Sequence, residues 1–467
     1  MRTYLARWIV PIAAPPIANG AVTVHEGRIL YVGARDGAPA ADVVDVGDAV
    51  LLPGLVNVHT HLELTAMRGF LEELPFRRWV LRLTKARAAV LSPELLLASA
   101  KAGVAEGLMA GVTTFADTCE SGVVLQALVE MGVRGIMYQE VFGPDPAQCD
   151  GAMAGLREKL ARLREQATQR VRLGISPHAP YSVSDALFSA CARLAGDEGW
   201  PVAVHLAESE AESRLVRDGS GMFGDALRAR GIAVAPRADS PVFLLDRLGL
   251  LAQRPLLIHC VRASTPDISR LARHDCAVAH CPASNAKLGH GIAPLLELRA
   301  AGVRTGLGTD SVAANNRLDL LDEARTAILM QRAAAQRFDA LTAAEVLAMA
   351  TIEGARALGI DAEVGTLEVG KRADLAAFSL GSPRATPAYS PEDALVWAVA
   401  GREASLVVVD GEERVRDGQL DDCTLTLQDL ARIREAFIPV LTAIFHVRAP
   451  YPEAPKRAGR EDARRDA

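Results

Sequence analysis

Two histidines separated by one residue, His59 and His61, close the largely apolar run 51–58, which is broken by Pro53 and Gly54. A short apolar run that ends in a polar pair is the pattern of a buried strand stopping at a site. On a strand the side chains at i and i+2 share a face, so the two imidazoles project together while Thr60 turns away. Neighbouring imidazoles can grip one divalent metal. The same pair also fits ordinary satisfied or solvated histidines, and residues further along the chain must decide between the two.

Apolar β-type runs at 51–58, 112–116, 133–141, 171–176, 202–204, 256–258, 277–279 and 303–308 alternate with helical stretches, the signature of parallel βα units. Eight such runs make a closed (β/α)8 TIM-like barrel, an α/β fold, the natural architecture. The first run ends in His59 and His61, the fourth leads into His178, the fifth into His205, the sixth into His259, the seventh into His280 and the eighth into Asp310. Strand C-termini of a barrel converge on one face, where catalytic residues collect. Chance would have scattered these histidines.

Three neutral imidazoles and a carboxylate suit Zn2+ or Fe2+ with a coordination position left open for water. His59, His61, His205 and Asp310 form that set. A metal there would lower the pKa of a water by several units, towards about 7, and protons must then be moved. Glu208, three residues past His205, is the natural general acid and base; a carboxylate at that place also suits a helix N-terminus. His259 would polarise the attacking water, its alternative being a core histidine. Asp310 can both ligate the metal and accept a proton.

The flanks frame this machinery. Strand-like runs at 4–10, 21–25, 28–32 and 41–46 are matched by runs at 375–378 and 404–409, so the two ends can pair into one small unit with the middle inserted between them. The expected division is 1–50 with 365–420 as a composite β domain, 51–364 as the barrel, and 421–467 as a C-terminal helix and charged tail. Of the 467 residues, 50% are hydrophobic and 23% charged, ample for a large core, and the net charge of -6 speaks against a nucleic-acid surface. No stretch is long and apolar enough to span a membrane. Arg7 and the prolines at 11, 15 and 16 interrupt what could mimic a signal peptide, so 4–10 reads as a first strand. Seven scattered cysteines without a Cys-x-x-Cys pair fit reduced thiols in a cytoplasmic enzyme.

Two glycine-rich stretches are decoys. Residues 219–224 match a dinucleotide fingerprint but follow a charged helical stretch, and 365–371 approach a phosphate loop in which Arg372 stands where Ser or Thr should hold Mg2+. Neither the Pro-Cys-x-x-Cys of the other zinc deaminases nor a Gly-x-Ser-x-Gly elbow occurs.

Five motifs in order carry a resemblance: Leu52 to His61 (LPGLVNVHTH), Ser176 to Tyr181 (SPHAPY), His205 to Glu208 (HLAE), His280 to Gly289 (HCPASNAKLG) and Gly308 to Ser311 (GTDS). Over about residues 3–420 the chain resembles the amidohydrolase superfamily, and within it the branch of S-adenosylhomocysteine, methylthioadenosine and aminodeoxyfutalosine deaminases. The resemblance implies a (β/α)8 barrel with a composite β-sandwich from both chain ends, and one divalent metal, zinc or iron. It matches His59, His61, His205 and Asp310 to the metal positions, Glu208 and His259 to the proton-handling pair, and His178 to a substrate contact. His280 and Asn285 fall in a motif that lines the same mouth, with a capping role for Asn285 as the alternative.

One departure stands out. Adenosine-type members carry a ribose-reading glutamate some two dozen residues after the His-x-His pair, where this chain has Lys85 and Arg87. Glu63, the segment from Leu74 to Trp79, and 138–143 resemble the aminodeoxyfutalosine side of the branch, and Trp79 or Phe76 could stack on a base. The implied activity is hydrolytic deamination of a 6-aminopurine nucleoside, such as a 5′-modified adenosine, with release of ammonia. Guanine, cytosine or a chloro- or aminotriazine is the alternative substrate, and Glu208 favours deamination because ammonia must leave protonated. A non-catalytic scaffold would show a decayed ligand position, and none is decayed. The implied partner is a small-molecule purine nucleoside, with no nucleic acid or membrane; a homodimer is common for such barrels, but the sequence does not choose the oligomeric state.

Overall fold

The chain starts with a meander, β1 (Arg2–Ile9), β2 (Ile17–His25) and β3 (Arg28–Ala34), paired antiparallel. His25 sits opposite Arg28 across Glu26 and Gly27, which have φ of 48° and 73°. Two left-handed central residues make the tight turn whose twist matches the flanking strands. In this computed structural model residues 1–421 are described, together with helical residues at 431–432 and 435–436. The rest of the helix and tail expected over 421–467 lies outside the described residues.

Strands β4 (Asp42–Asp45) and β5 (Ala49–Pro53) pair parallel to β1. From the other end of the chain, β14 (Leu375–Ser379) pairs antiparallel to β5 and is followed by β15 (Leu406–Val409), β16 (Glu412–Arg416) and β17 (Gln419–Leu420). The two ends thus build one nine-stranded sheet in the order β17-β16-β15-β14-β5-β1-β2-β3, with β4 beside β1.

The run 51–58 differs from its expectation as one strand. It is two strands, β5 in the nine-stranded sheet and β6 (Leu55–Thr60) in the parallel core. Pro53 has no N–H to continue a ladder. At Gly54 a Cβ would lie 2.2 Å from Thr113 Oγ1, so only glycine lets the chain pass there and change sheets.

All the other expected core runs are parallel strands. One sheet holds β6, β7 (Val112–Cys119), β8 (Arg134–Val141) and β9 (Val171–Pro177). The second holds β10 (Ala203–Leu206), β11 (Leu256–His259), β12 (Ala277–His280) and β13 (Arg304–Leu307). Parallel bridges Ile175–Val202 and Thr60–Asp310 link the sheets at both seams. Helices cover the strands, which explains why the strands are apolar almost throughout rather than alternating. Val56, Ala116, Ile136, Ala203, Ile258 and Ala279 share one buried cluster that draws on both parallel sheets.

A buried ion pair ties this core to the nine-stranded sheet. Arg134, the first residue of β8, donates from Nε and Nη2 to the Asp374 carboxylate at 2.9 and 3.1 Å. Six cysteines are free among the described residues, and there no single helix is long and apolar enough to cross a membrane.

Candidate active site

The C-terminal ends of the parallel strands deliver His59 and His61, His205, His259 and Asp310 to one place. His61 Nε2 lies 3.2 Å from His205 Nε2, and His59 Nε2 lies 3.3 Å from Asp310 Oδ1. Two ligands of a tetrahedral ion with bonds of 2.0–2.1 Å are about 3.3 Å apart, so these spacings are edges of such a tetrahedron. His61 Nε2 lies 3.7 Å from Asp310 Oδ1, and the donor atoms of His59, His61 and His205 lie within 4.8 Å of one another.

The ring states agree with ligation. His61 Nδ1 donates to Thr118 O at 3.0 Å, which leaves the Nε2 lone pair facing the cluster. His59 Nε2 is buried without a hydrogen-bond partner. Burial pushes the pKa of His59 down to about 4, and those of His61 and His205 also fall below the ordinary imidazole value for the same reason. Neutral rings are the form that binds metal. Burial opposes ionisation of Asp310, yet the His59, His259 and His61 rings hold its carboxyl well below the usual range. Ser284 Oγ and Ser311 N donate to Asp310 at 2.5 and 2.6 Å and orient it. These donors fit one divalent metal.

Backbone strain accompanies the site. Ala207, His259 and Asp310 are left-handed, with φ of 51°, 74° and 58°. Such conformations cost energy in non-glycine residues and persist where the surroundings hold them. For Ala207 the holder is Glu212, in the helix Glu210–Asp218, whose carboxyl accepts from Ala207 N at 2.8 Å and Glu208 N at 3.0 Å. The turn after β10 is thereby bent so that Glu208 faces the cluster.

Glu208 Oε1 is 3.6 Å from His259 Nε2 and 3.3 Å from His290 Nε2. Burial again opposes ionisation, but the rings of His259 and His290 lower the Glu208 pKa and keep it a carboxylate. His259 Nδ1 donates to Asn285 Oδ1 at 2.9 Å. Its Nε2 faces Glu208 and Asp310, the latter 3.9 Å away.

Above these groups opens a cavity of about 590 Å³, within the range of small-molecule sites. Trp79 and Phe76 line it, their rings near-parallel with centroids 6.2 Å apart, and Phe223, edge-to-face with Phe76, stacks on Tyr181 at 4.2 Å. His178 is on the wall, with Phe142 at 4.9 Å between centroids. Glu63 also lines the cavity, but its carboxylate is committed: it accepts from Arg87 Nη2 at 2.9 Å, from Cys119 Sγ at 3.1 Å and from Ser121 Oγ. Arg87 in turn pairs with Glu120, so this cation is held between two acids. His280 and Asn285, expected at the mouth, are 2% and 1% exposed and stand behind the wall. Asn285 acts on His259 instead.

Sequence reasoning gave no role to Glu212, to His290 or to Glu140, although it singled out the stretch 138–143. The strand-end rule finds Glu140, the penultimate residue of β8, once it is applied to carboxylates as well as imidazoles. His290 directly follows the HCPASNAKLG motif. Glu212 follows Ser209 in the S-x-x-E pattern of a helix start, but that pattern points to the N-cap N–H and not to those of Ala207 and Glu208, which its carboxyl reaches.

Residues 50–425 match the family model described as "Amidohydrolase family". A 5-methylthioadenosine/S-adenosylhomocysteine deaminase of Moorella thermoacetica is 36% identical over 417 residues, 88% of this chain and 93% of the relative. A 5′-deoxyadenosine deaminase of Methanothermobacter thermautotrophicus is 34% identical over 410 residues, 87% of this chain and 91% of the relative. Among solved structures, an adenosine deaminase from Xanthomonas campestris with bound zinc superposes with a TM-score of 0.84 at 31% identity, covering 94% of this chain and 98% of that one.

Proposed function

The chain belongs to the amidohydrolase family, and from that premise we propose that it hydrolytically deaminates a 6-aminopurine nucleoside, a 5′-modified adenosine such as methylthioadenosine, S-adenosylhomocysteine or aminodeoxyfutalosine, with release of ammonia. The observation that carries this reading is the Glu208 carboxylate, 3.6 Å from His259 and beside the histidine cluster, at the floor of a cavity with aromatic walls. The names of the relatives support the nucleoside, and the zinc in the Xanthomonas structure supports Zn2+ as the metal.

In this proposal His59, His61, His205 and Asp310 hold the metal, which when bound supplies Lewis acidity that brings the pKa of a water towards about 7. Glu208 takes a proton from the attacking water and passes it to the ring nitrogen beside C6. His259, its tautomer set by Asn285, accepts a hydrogen bond from that water through Nε2 and orients it. As the water oxygen bonds to C6 and the C6–N bond to the exocyclic amine breaks, the second water proton passes through Glu208 or Asp310 to that amine, which leaves as ammonia. Trp79, Phe76, Tyr181 and Phe223 provide flat apolar surface for the base and its tail.

We further propose that the eight parallel strands close as a (β/α)8 barrel through the two seam bridges, and that the nine-stranded sheet folds over itself as a sandwich. The shared cluster of Tyr4, Val22 and Ile29 with Leu375, Leu406 and Val408 supports the second point. The domain boundary is best drawn at Gly54 rather than at 50. Free thiols support a reducing, cytoplasmic setting.

Ammonia release from metal-loaded protein across adenosine, methylthioadenosine, S-adenosylhomocysteine, 5′-deoxyadenosine, aminodeoxyfutalosine, guanine, cytosine and an aminotriazine tests the activity. Turnover of one 5′-modified adenosine is expected, and Glu208→Gln should keep its metal and lose turnover about 10²- to 10⁴-fold. Silence on every adenosine with turnover of a free base or triazine would overturn the substrate class.

A further inference from the structure

One buried acid on the cavity wall has no part in the deamination chemistry. Glu140 lies at the end of β8 with its side chain 7% exposed, and it lines the cavity. Its Oε1 nevertheless meets no hydrogen-bond partner. Buried polar atoms are almost always paired, and one left open beside a cavity marks a place where a ligand completes the bonding.

His178 Nε2 lies 3.9 Å from Glu140 Oε1, beyond direct hydrogen-bonding reach. The other nitrogen of that ring is already committed. Ser182 Oγ donates its hydrogen to Ala179 O at 3.2 Å, so at 2.7 Å it accepts from His178 Nδ1. Nε2 is left with a lone pair. Two acceptors from neighbouring strand ends thus converge on the cavity. The other acids on that wall are occupied, because Arg87 pairs with both Glu63 and Glu120.

We propose that Glu140 and His178 together read two adjacent hydrogen-bond donors of the substrate, the vicinal hydroxyls of a ribose, and that Glu140 sets the preference of this site for ribonucleosides over deoxynucleosides and free bases. A ribose presents two O–H groups side by side, one for each acceptor. Deoxy sugars present one, and a free base has no sugar hydroxyl. The assignment rests on the nucleoside reading of the site. A second metal ion is the competing occupant, since donor atoms of Glu140, His178 and His205 lie within 4.8 Å of one another. His205 Nε2 faces His61 at 3.2 Å, but its Nδ1 is buried without a partner, so the metal count is the readout that separates the two occupants.

The test compares metal-loaded wild type, Glu140→Gln and Glu140→Leu on the active ribonucleoside of the panel and on its 2′- and 3′-deoxy analogues. Steady-state kinetics, calorimetric binding of the deaminated product and metal content are the readouts. Glu140→Leu should retain one metal per chain and raise KM and product Kd for the ribonucleoside about ten- to a hundredfold, more than it lowers kcat, while values for the deoxy analogues stay within a few-fold of wild type. Glu140→Gln keeps an acceptor oxygen and should recover most of the loss. Equal losses on ribo- and deoxynucleosides, unchanged constants, or a second metal equivalent that disappears with Glu140 would each overturn the proposal. Should Glu140→Leu fail to fold, wild type must still discriminate against the deoxy analogues by about tenfold or more, and equal treatment overturns the proposal. If wild type deaminates no nucleoside at all, the nucleoside reading has failed and this one falls with it; nucleoside turnover indifferent to Glu140 sinks this one alone.

Discussion

Glu212 is where stability, pH and catalysis meet. Its carboxyl is fully buried and accepts from the N–H groups of Ala207 and Glu208. Burial pushes its pKa up from an ordinary 4.5 to about 8, outweighing the two N–H donors that favour the charge. The folded carboxyl therefore keeps its proton up to about pH 8, while the unfolded one releases it near pH 4.5. The folded state binds the extra proton, so the stabilising contribution is complete below pH 4.5 and is lost as pH rises through 8. For one such group the loss between pH 6 and pH 8 is about 2 kcal/mol. Glu212→Gln removes the titration and turns one NH2 towards a backbone N–H, leaving that donor unpaired at a cost of about 1–3 kcal/mol. Urea denaturation of both proteins at pH 6, 7 and 8 should show wild type more stable at pH 6, with the gap closing by about 2 kcal/mol by pH 8. Other buried acids titrate in both proteins, so the difference isolates Glu212. A gap that stays constant over this range would refute the raised pKa. Turnover of the Gln variant should fall at every pH, because the turn that aims Glu208 has lost an anchor.

Three further outcomes are set by the geometry. Asn285→Leu frees the His259 tautomer and should lower kcat about tenfold or more with metal content unchanged, while Asn285→Asp, which keeps the acceptor, restores activity with a shifted pH profile; an unaltered kcat for the Leu variant would remove Asn285 from the site. His205→Ala takes away one tetrahedral edge, so metal analysis after dialysis should find the ion largely gone, and a full equivalent would count against the ligand set. Arg134→Ala strands the Asp374 carboxylate, only 1% exposed, and should cost about 3–5 kcal/mol in urea denaturation, whereas a loss below about 1 kcal/mol would mean the sheet and the core are held together by other contacts.

Much of the site was legible in the chain because its chemistry and its periodicity coincide. Apolar runs of strand length alternating with helices imply parallel units, and parallel units bring their C-terminal ends together, so histidines at the ends of five of the eight runs and an aspartate at a sixth are already a statement about proximity. That logic reached His59, His61, His205, His259 and Asp310, together with Glu208 just past a strand end. It also located the strands at both chain ends that make one sheet, since two complementary sets of short strands flanking a core have few other places to pair.

Tertiary structure decided everything that depends on which way a side chain turns after its strand ends. Asn285 stands behind His259 and not at the mouth, and Glu63, on the cavity wall, is also held by Arg87, because hydrogen-bond partners tens of residues away compete for the same atoms and local sequence carries no record of that competition. The switch of sheets at Gly54 was hidden for a similar reason: the run looks continuous until Thr113 is brought against it. Residue types and spacing pointed to a divalent-metal site and to Glu208 as its candidate acid and base. Only the folded chain could show which polar groups are already satisfied, and therefore that Glu140 is left to face the ligand.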